Sequence, residues 1–76
     1  MIARSTVDQL AVRVCHVVRE VRGERQSWIA LDRVQDHLGG ESTMAIDAAV
    51  AFAAAKGWLA LGGAPAHSVL LTPVAP

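Results

Sequence analysis

The residues able to do chemistry are few and scattered. His16, His37 and His67 lie far apart, and none has a cysteine or carboxylate neighbour at a familiar metal-ligand spacing, so no metal site is read from them. Ser68, His67 and Asp47 supply the letters of a nucleophilic triad. Adjacent residues of an alternating strand point to opposite faces, however, and no nucleophile-elbow pattern surrounds the serine. Gly39-Gly40 and Gly62-Gly63 precede no lysine-serine or lysine-threonine pair, which makes them turn residues rather than phosphate-cradling loops. The expectation is a non-enzymatic protein with no cofactor, no metal and no evident small-molecule ligand.

Binding chemistry is the remaining prospect. Trp28 and Trp58 are the side chains that could stack on bases, but each borders an apolar segment and is expected to anchor a strand against the core. Arg19, Arg22 and Arg25 cluster, with Glu20 and Glu24 among them, so the local balance is only weakly positive. Cys15 is the sole cysteine, which excludes an intrachain disulfide framework and fits a reducing compartment.

Composition narrows the classes further. The chain has 76 residues, 53% hydrophobic and 18% charged, with seven basic and seven acidic side chains. One domain is expected, near the lower size limit at which a single core suffices, so burial in an oligomer would help. No net field draws it to nucleic acid or an anionic membrane. The start, Met1 to Ser5, lacks the pattern of a secretory signal, and Pro65, Pro73 and Pro76 break the uncharged stretch after Gly57, so no membrane span is expected and the cytoplasm is the default location.

The elements that must position these residues follow from periodicity and punctuation. Ser5 or Thr6 can cap a first helix over Val7 to Arg22, in which Val7, Leu10, Val14, Val17 or Val18, and Val21 share a face that Ala11, Cys15 and Val18 widen. Such width suggests contact with more than one element, within the fold or across a dimer. After Gly23 and a polar connection, Trp28-Ile29 reads as a short extended segment, and Leu31 to Leu38 as a second helix ended by Gly39-Gly40. Ser42 or Thr43 caps a third helix that runs to Lys56, with Gly57 as its stop. Trp58 to Leu61 and Ser68 to Thr72 are strands joined by a loop from Gly62 to His67, and Pro73 to Pro76 is expected to fray.

This order resembles the winged helix-turn-helix family over residues 6 to 72. The nearest local match is Ile46, Ala49, Val50 and Ala53 followed by Gly57-Trp58-Leu59. The resemblance implies a small α+β domain of three helices and a C-terminal β-hairpin wing, with a possible short strand near Trp28. It also implies either duplex DNA binding, often as a dimer, or protein contacts on the same scaffold. Carried onto this chain, the groove-facing positions of the third helix are Ser42, Thr43, Met44, Asp47, Ala48 and Ala51, and the wing offers only His67. None is the Arg, Lys, Asn or Gln that major-groove reading favours. Possible DNA contacts are therefore Ser42, Thr43, Arg33, Arg19, Arg22, Arg25 and His67.

Charge distribution favours protein contact. Six of the seven basic and six of the seven acidic residues precede Ser42, leaving Asp47 and Lys56 beyond it. If Ile46, Ala49, Val50 and Ala53 face the core, then Ala48, Ala51, Phe52 and Ala55 line an apolar outer side, unless a register shift makes Phe52 core. The leading expectation is a protein-interaction module, homodimeric or part of a larger complex. Its contacts would come from Ala48, Ala51, Phe52 and Ala55, with Ala11, Cys15 and Val18 from the first helix; the alternative is a DNA-binding transcriptional-regulator-like domain.

Overall fold

Helix α1 (Val7–Arg22) begins where a side chain can satisfy its first free amides. The Thr6 hydroxyl accepts from the Gln9 amide at 3.4 Å, while the Gln9 side chain accepts from the Thr6 amide at 3.2 Å, a reciprocal capping box. The structure is a computed structural model and describes residues 6–63 and 65–76, so Ser5, the other candidate cap, and Arg4 lie outside the described residues. The remaining elements are β1 (Ile29–Ala30), α2 (Leu31–His37), α3 (Thr43–Ala55), β2 (Leu59–Gly62) and β3 (Ser68–Leu71). Three helices and a three-stranded antiparallel sheet make a small winged-helix-like α+β domain, with β3 in the middle of the order β1-β3-β2.

The core sits between α1, α3 and the inner face of the sheet. Helix α1 packs chiefly against α3 and contributes Leu10, Ala11, Val14, Cys15 and Val18. Ala11, Cys15 and Val18 are each 0% exposed. These three were expected to reach a partner, but they form the middle of the seam that meets the core within one chain, and Val7 stands out in solvent instead. The expected stripe was therefore centred too far to one side. The small side chains Ala11 and Cys15 on α1, with Ala49 and Ala53 on α3, are all fully buried. Larger groups fill the ends of the core: Ile46, Val14, Val18, Val34, Val69 and Leu71 are almost wholly enclosed. Each contributes about 1.5–3 kcal/mol by leaving water.

Short elements are held by their neighbours rather than by propensity. Helix α2 has no side-chain cap, and its first amide, on Leu31, donates to the His67 carbonyl at 2.9 Å. In β1 only Ile29 and Ala30 pair with the sheet, opposite Val69 and Ser68. Beyond that end, the Gln26 side chain donates to the Leu71 carbonyl at 2.7 Å, satisfying an acceptor that a two-residue strand cannot reach.

Helix α3 ends in a Schellman motif. The Trp58 amide donates to Ala53 O at 2.9 Å and the Gly57 amide to Ala54 O at 3.0 Å, with Gly57 at φ 79°. That turn sends the chain directly into β2, whose register with β3 pairs Leu59 with Leu71 and Leu61 with Val69. Residues 73–76 were expected to fray. Instead Ala75 packs against the core and Arg19 Nη1 donates to the Pro76 carbonyl at 2.7 Å. Among the described residues no helix is long and apolar enough to cross a membrane.

Candidate protein interface on α3 and the hairpin

Helix α3 has two apolar sides and one core. Ile46, Ala49, Val50 and Ala53 face inward, as the periodicity required. Ala48, Ala51 and Ala55 are exposed on the opposite side, and Met44 at the first turn is 83% exposed. Asp47 is the one charged side chain between Ser42 and Ala55. A helix that is apolar all round normally has all of its surface covered, and this one does not within the single chain.

Part of that outer side faces the hairpin. Asp47, Val50 and Ala51 of α3, Leu61 of β2, Pro65 and Ala66 of the wing loop and Leu31 at the start of α2 line an open groove of about 260 Å³. The groove is smaller than usual small-molecule pockets, which run from about 300 Å³ upward, and its lining offers a single carboxylate. It suits one or two aliphatic side chains of another protein better than a polar metabolite. Strand alternation explains Leu61. It shares the inner face of the sheet with Leu59, yet lies past the point where α3 covers it and is left 42% exposed.

Phe52 is half-buried, which places it between the two expectations for it. Its ring meets Trp58 edge-on with centroids 6.0 Å apart at 66°, and Lys56 Nζ lies 5.5 Å from the ring centroid. The aromatic pair packs against the core, so Phe52 fixes the end of α3 over the hairpin base and offers only its remaining surface outward. Trp28 departs from expectation in the other direction and is 51% exposed. The two-residue alternation that turns Ile29 inward turns Trp28 out, and its ring lies over Gly62. A Cβ at Gly62 would come within 3.0 Å of the indole and 2.5 Å of Ser68 Oγ.

Several of the candidate DNA contacts have local structural partners. Ser42 Oγ accepts from the Ala45 amide at 3.1 Å and is occupied as the cap of α3, and Thr43 is exposed beside it. Arg19 is tied to Pro76, and Arg22 Nη1 donates to Gln26 Oε1 at 2.7 Å, bracing the connection between α1 and β1. Arg25 and Arg33 are exposed, and His67 is exposed in the wing loop with its backbone committed to Gly62 and Leu31. Arg13 forms an ion pair with Glu41 at 3.0 Å and so links α1 to the turn before α3.

Two ionisable groups are shifted from their ordinary values. Burial pushes the Cys15 thiol above its ordinary range, with the Arg19 charge acting weakly against it, so the thiol is neutral at physiological pH. Asp8 moves down, chiefly because the Thr6 hydroxyl donates to it. No group of three potential metal-ligating side chains exists among the described residues. Leu31, Leu61, Pro65 and Ala66 were not recognisable as one site from sequence, because they join only when the hairpin tip folds over toward α3. Comparison with known protein families, characterised proteins and solved structures finds no match to this chain.

Proposed function

We propose that this chain is a non-enzymatic, winged-helix-like protein-interaction module that works as a homodimer or within a larger complex. The observation that carries the reading is the uncovered apolar side of α3, formed by Met44, Ala48 and Ala51 and continuous with the groove bounded by Leu61, Pro65 and Ala66. Contiguous exposed apolar surface of this kind is stabilised by association, and small alanine side chains allow a partner backbone or helix to approach closely. The remaining surface of Phe52 and the exposed Ala55 extend the same side toward the hairpin base.

The same face is a poor reader of DNA. Its only charge, Asp47, would oppose phosphates, and base edges in the major groove call for side chains it lacks. Ala51→Glu provides the direct test, because Ala51 is exposed and a glutamate there leaves the core untouched. Sedimentation velocity across a concentration series is expected to show wild-type association that Ala51→Glu weakens by about tenfold or more, as expected for a charge placed in an apolar contact. Salt-dependent binding of duplex DNA, lost on changing Arg33 to Ala and unaffected by Ala51→Glu, would replace this reading with the DNA-binding one.

A further inference from the structure

We infer that the groove beside α3 is a docking site for an amphipathic helix of a different protein. An aliphatic side chain of that helix enters the groove, and a lysine or arginine one helical turn away meets Asp47. The inference rests on the interaction-module reading and specifies the chemistry of the partner.

The groove offers two unlike contacts at a fixed spacing. Its lining is apolar apart from Asp47, and its volume of about 260 Å³ has room for an aliphatic side chain between Ala51, Leu61, Pro65 and Ala66. Asp47 is exposed, and among the described residues its carboxylate makes no ion pair and accepts no hydrogen bond. Asp47 and Ala51 stand four residues apart on α3, which separates the two contacts by about 6 Å along the helix axis. A partner helix laid along α3 repeats that spacing with side chains three or four residues apart. Ala48 and Ala51 are exposed and small enough to let it approach closely. Backbone bonds shape the groove before anything binds. The Leu31 amide donates to His67 O at 2.9 Å and the His67 amide to Gly62 O at 2.8 Å, tying the wing loop to α2 and β2.

Charge decides among occupants. Asp47 is the sole acid from Ser42 to Pro76, and the one base in that span, Lys56, stands over the Phe52 ring with Nζ 5.5 Å from its centroid. Nine residues of helix put Lys56 about 13 Å from Asp47, too far for an ion pair. An acidic segment is repelled by Asp47, and a wholly apolar one takes water from the carboxylate without replacing it. A lysine or arginine supplies the missing donor. A second copy does not provide this helix. Among the described residues its exposed large apolar side chains are Val7, Trp28, Met44, Leu61 and Val74. Only Val7 and Met44 lie on helices, and neither has a base three or four residues away within its helix.

The experiment uses the full chain as bait for a phage-displayed library of amphipathic helices randomised along one face. The wild type is expected to enrich sequences carrying Leu, Ile or Val with Lys or Arg three or four residues away. Asp47→Lys, at an exposed position, is expected to exchange the basic preference for Asp or Glu while the aliphatic preference remains. Asp47→Asn should weaken a selected peptide about three- to fivefold, an effect that shrinks as salt is added. Ala51→Leu fills the groove without adding charge and should weaken the same peptide by about tenfold or more. Should a variant unfold, the wild-type selection and its salt dependence decide alone. Aliphatic enrichment with no basic preference overturns the inference, as does a preference unchanged by Asp47→Lys or peptide binding unchanged by Ala51→Leu. If unlabelled chain displaces the peptide only at concentrations where the chain self-associates, the groove belongs to a second copy and the assigned partner is wrong. If no peptide is enriched while Ala51→Glu still weakens self-association, helix docking fails and the interaction-module reading stands.

Discussion

Replacing Gly57 with alanine tests the junction that aims the hairpin past α3 and so creates the groove. Gly57 sits at φ 79° and closes the Schellman turn, a backbone conformation that an L side chain adopts at a cost of roughly 1–2 kcal/mol. Crowding contributes little, because an added Cβ would meet only Val74 Cγ2, at the ordinary contact distance of 3.8 Å. The smaller conformational freedom of alanine in the unfolded chain returns about 0.4–1 kcal/mol. The expected net loss is therefore about 1 kcal/mol, or a fall in Tm of roughly 4–8 °C for a domain of this size. Gly40→Ala is the matched control, since that residue lacks a positive φ and an added Cβ meets nothing within 4 Å. It should leave stability unchanged or raise it by up to about 1 kcal/mol. Urea midpoints and thermal melts followed by circular dichroism measure both variants, at a concentration low enough to keep the chain monomeric. Equal stability of the Gly57→Ala and Gly40→Ala proteins would refute the assignment of a backbone penalty to Gly57.

Three further outcomes bear on the core and its charges. Ile46→Ala, at a position 1% exposed on the inner face of α3, should cost about 2–5 kcal/mol, and a smaller loss in the urea midpoint would mean that the α3 register differs from the one described. The Cys15 thiol should resist alkylation in the native state and react only through unfolding. Because its folded pKa is raised, stability should decline as pH rises above the unfolded thiol value of about 8.5, and Cys15→Ala should remove that decline. Asp8 has the opposite sign. Its folded pKa is lowered, so its contribution is present above about pH 4 and lost as pH falls through the folded value. Asp8→Asn should flatten the acid limb of the stability curve, and an unchanged limb would show that the Thr6 contact has no energetic effect.

Several features were legible from local rules alone. A cap at Ser5 or Thr6, another at Ser42 or Thr43 and the stop at Gly57 were legible because unsatisfied backbone groups require those residue types at helix ends, and the structure uses Thr6 and Ser42. The three-residue and four-residue spacing of Ile46, Ala49, Val50 and Ala53 set the α3 register, and the outer alanines followed from it. The first helix was harder. Valines, alanines and a cysteine cover so much of its circumference that periodicity does not locate the centre of its stripe, and only packing against α3 decided that Ala11, Cys15 and Val18 are interior while Val7 is not.

Local patterning settles the order of elements, the inward side of α3 and the scarcity of charge after Ser42. The tertiary structure alone decided that Trp28 lies outside on Gly62, that Phe52 is shared between core and surface, and that Leu61, Pro65 and Ala66 meet Asp47 and Ala51 across a groove. The reason is one of range. Caps, turns and periodicity are fixed by interactions among residues a few positions apart, whereas the groove depends on where a strand ends relative to a helix distant in the chain, and no local pattern encodes that distance.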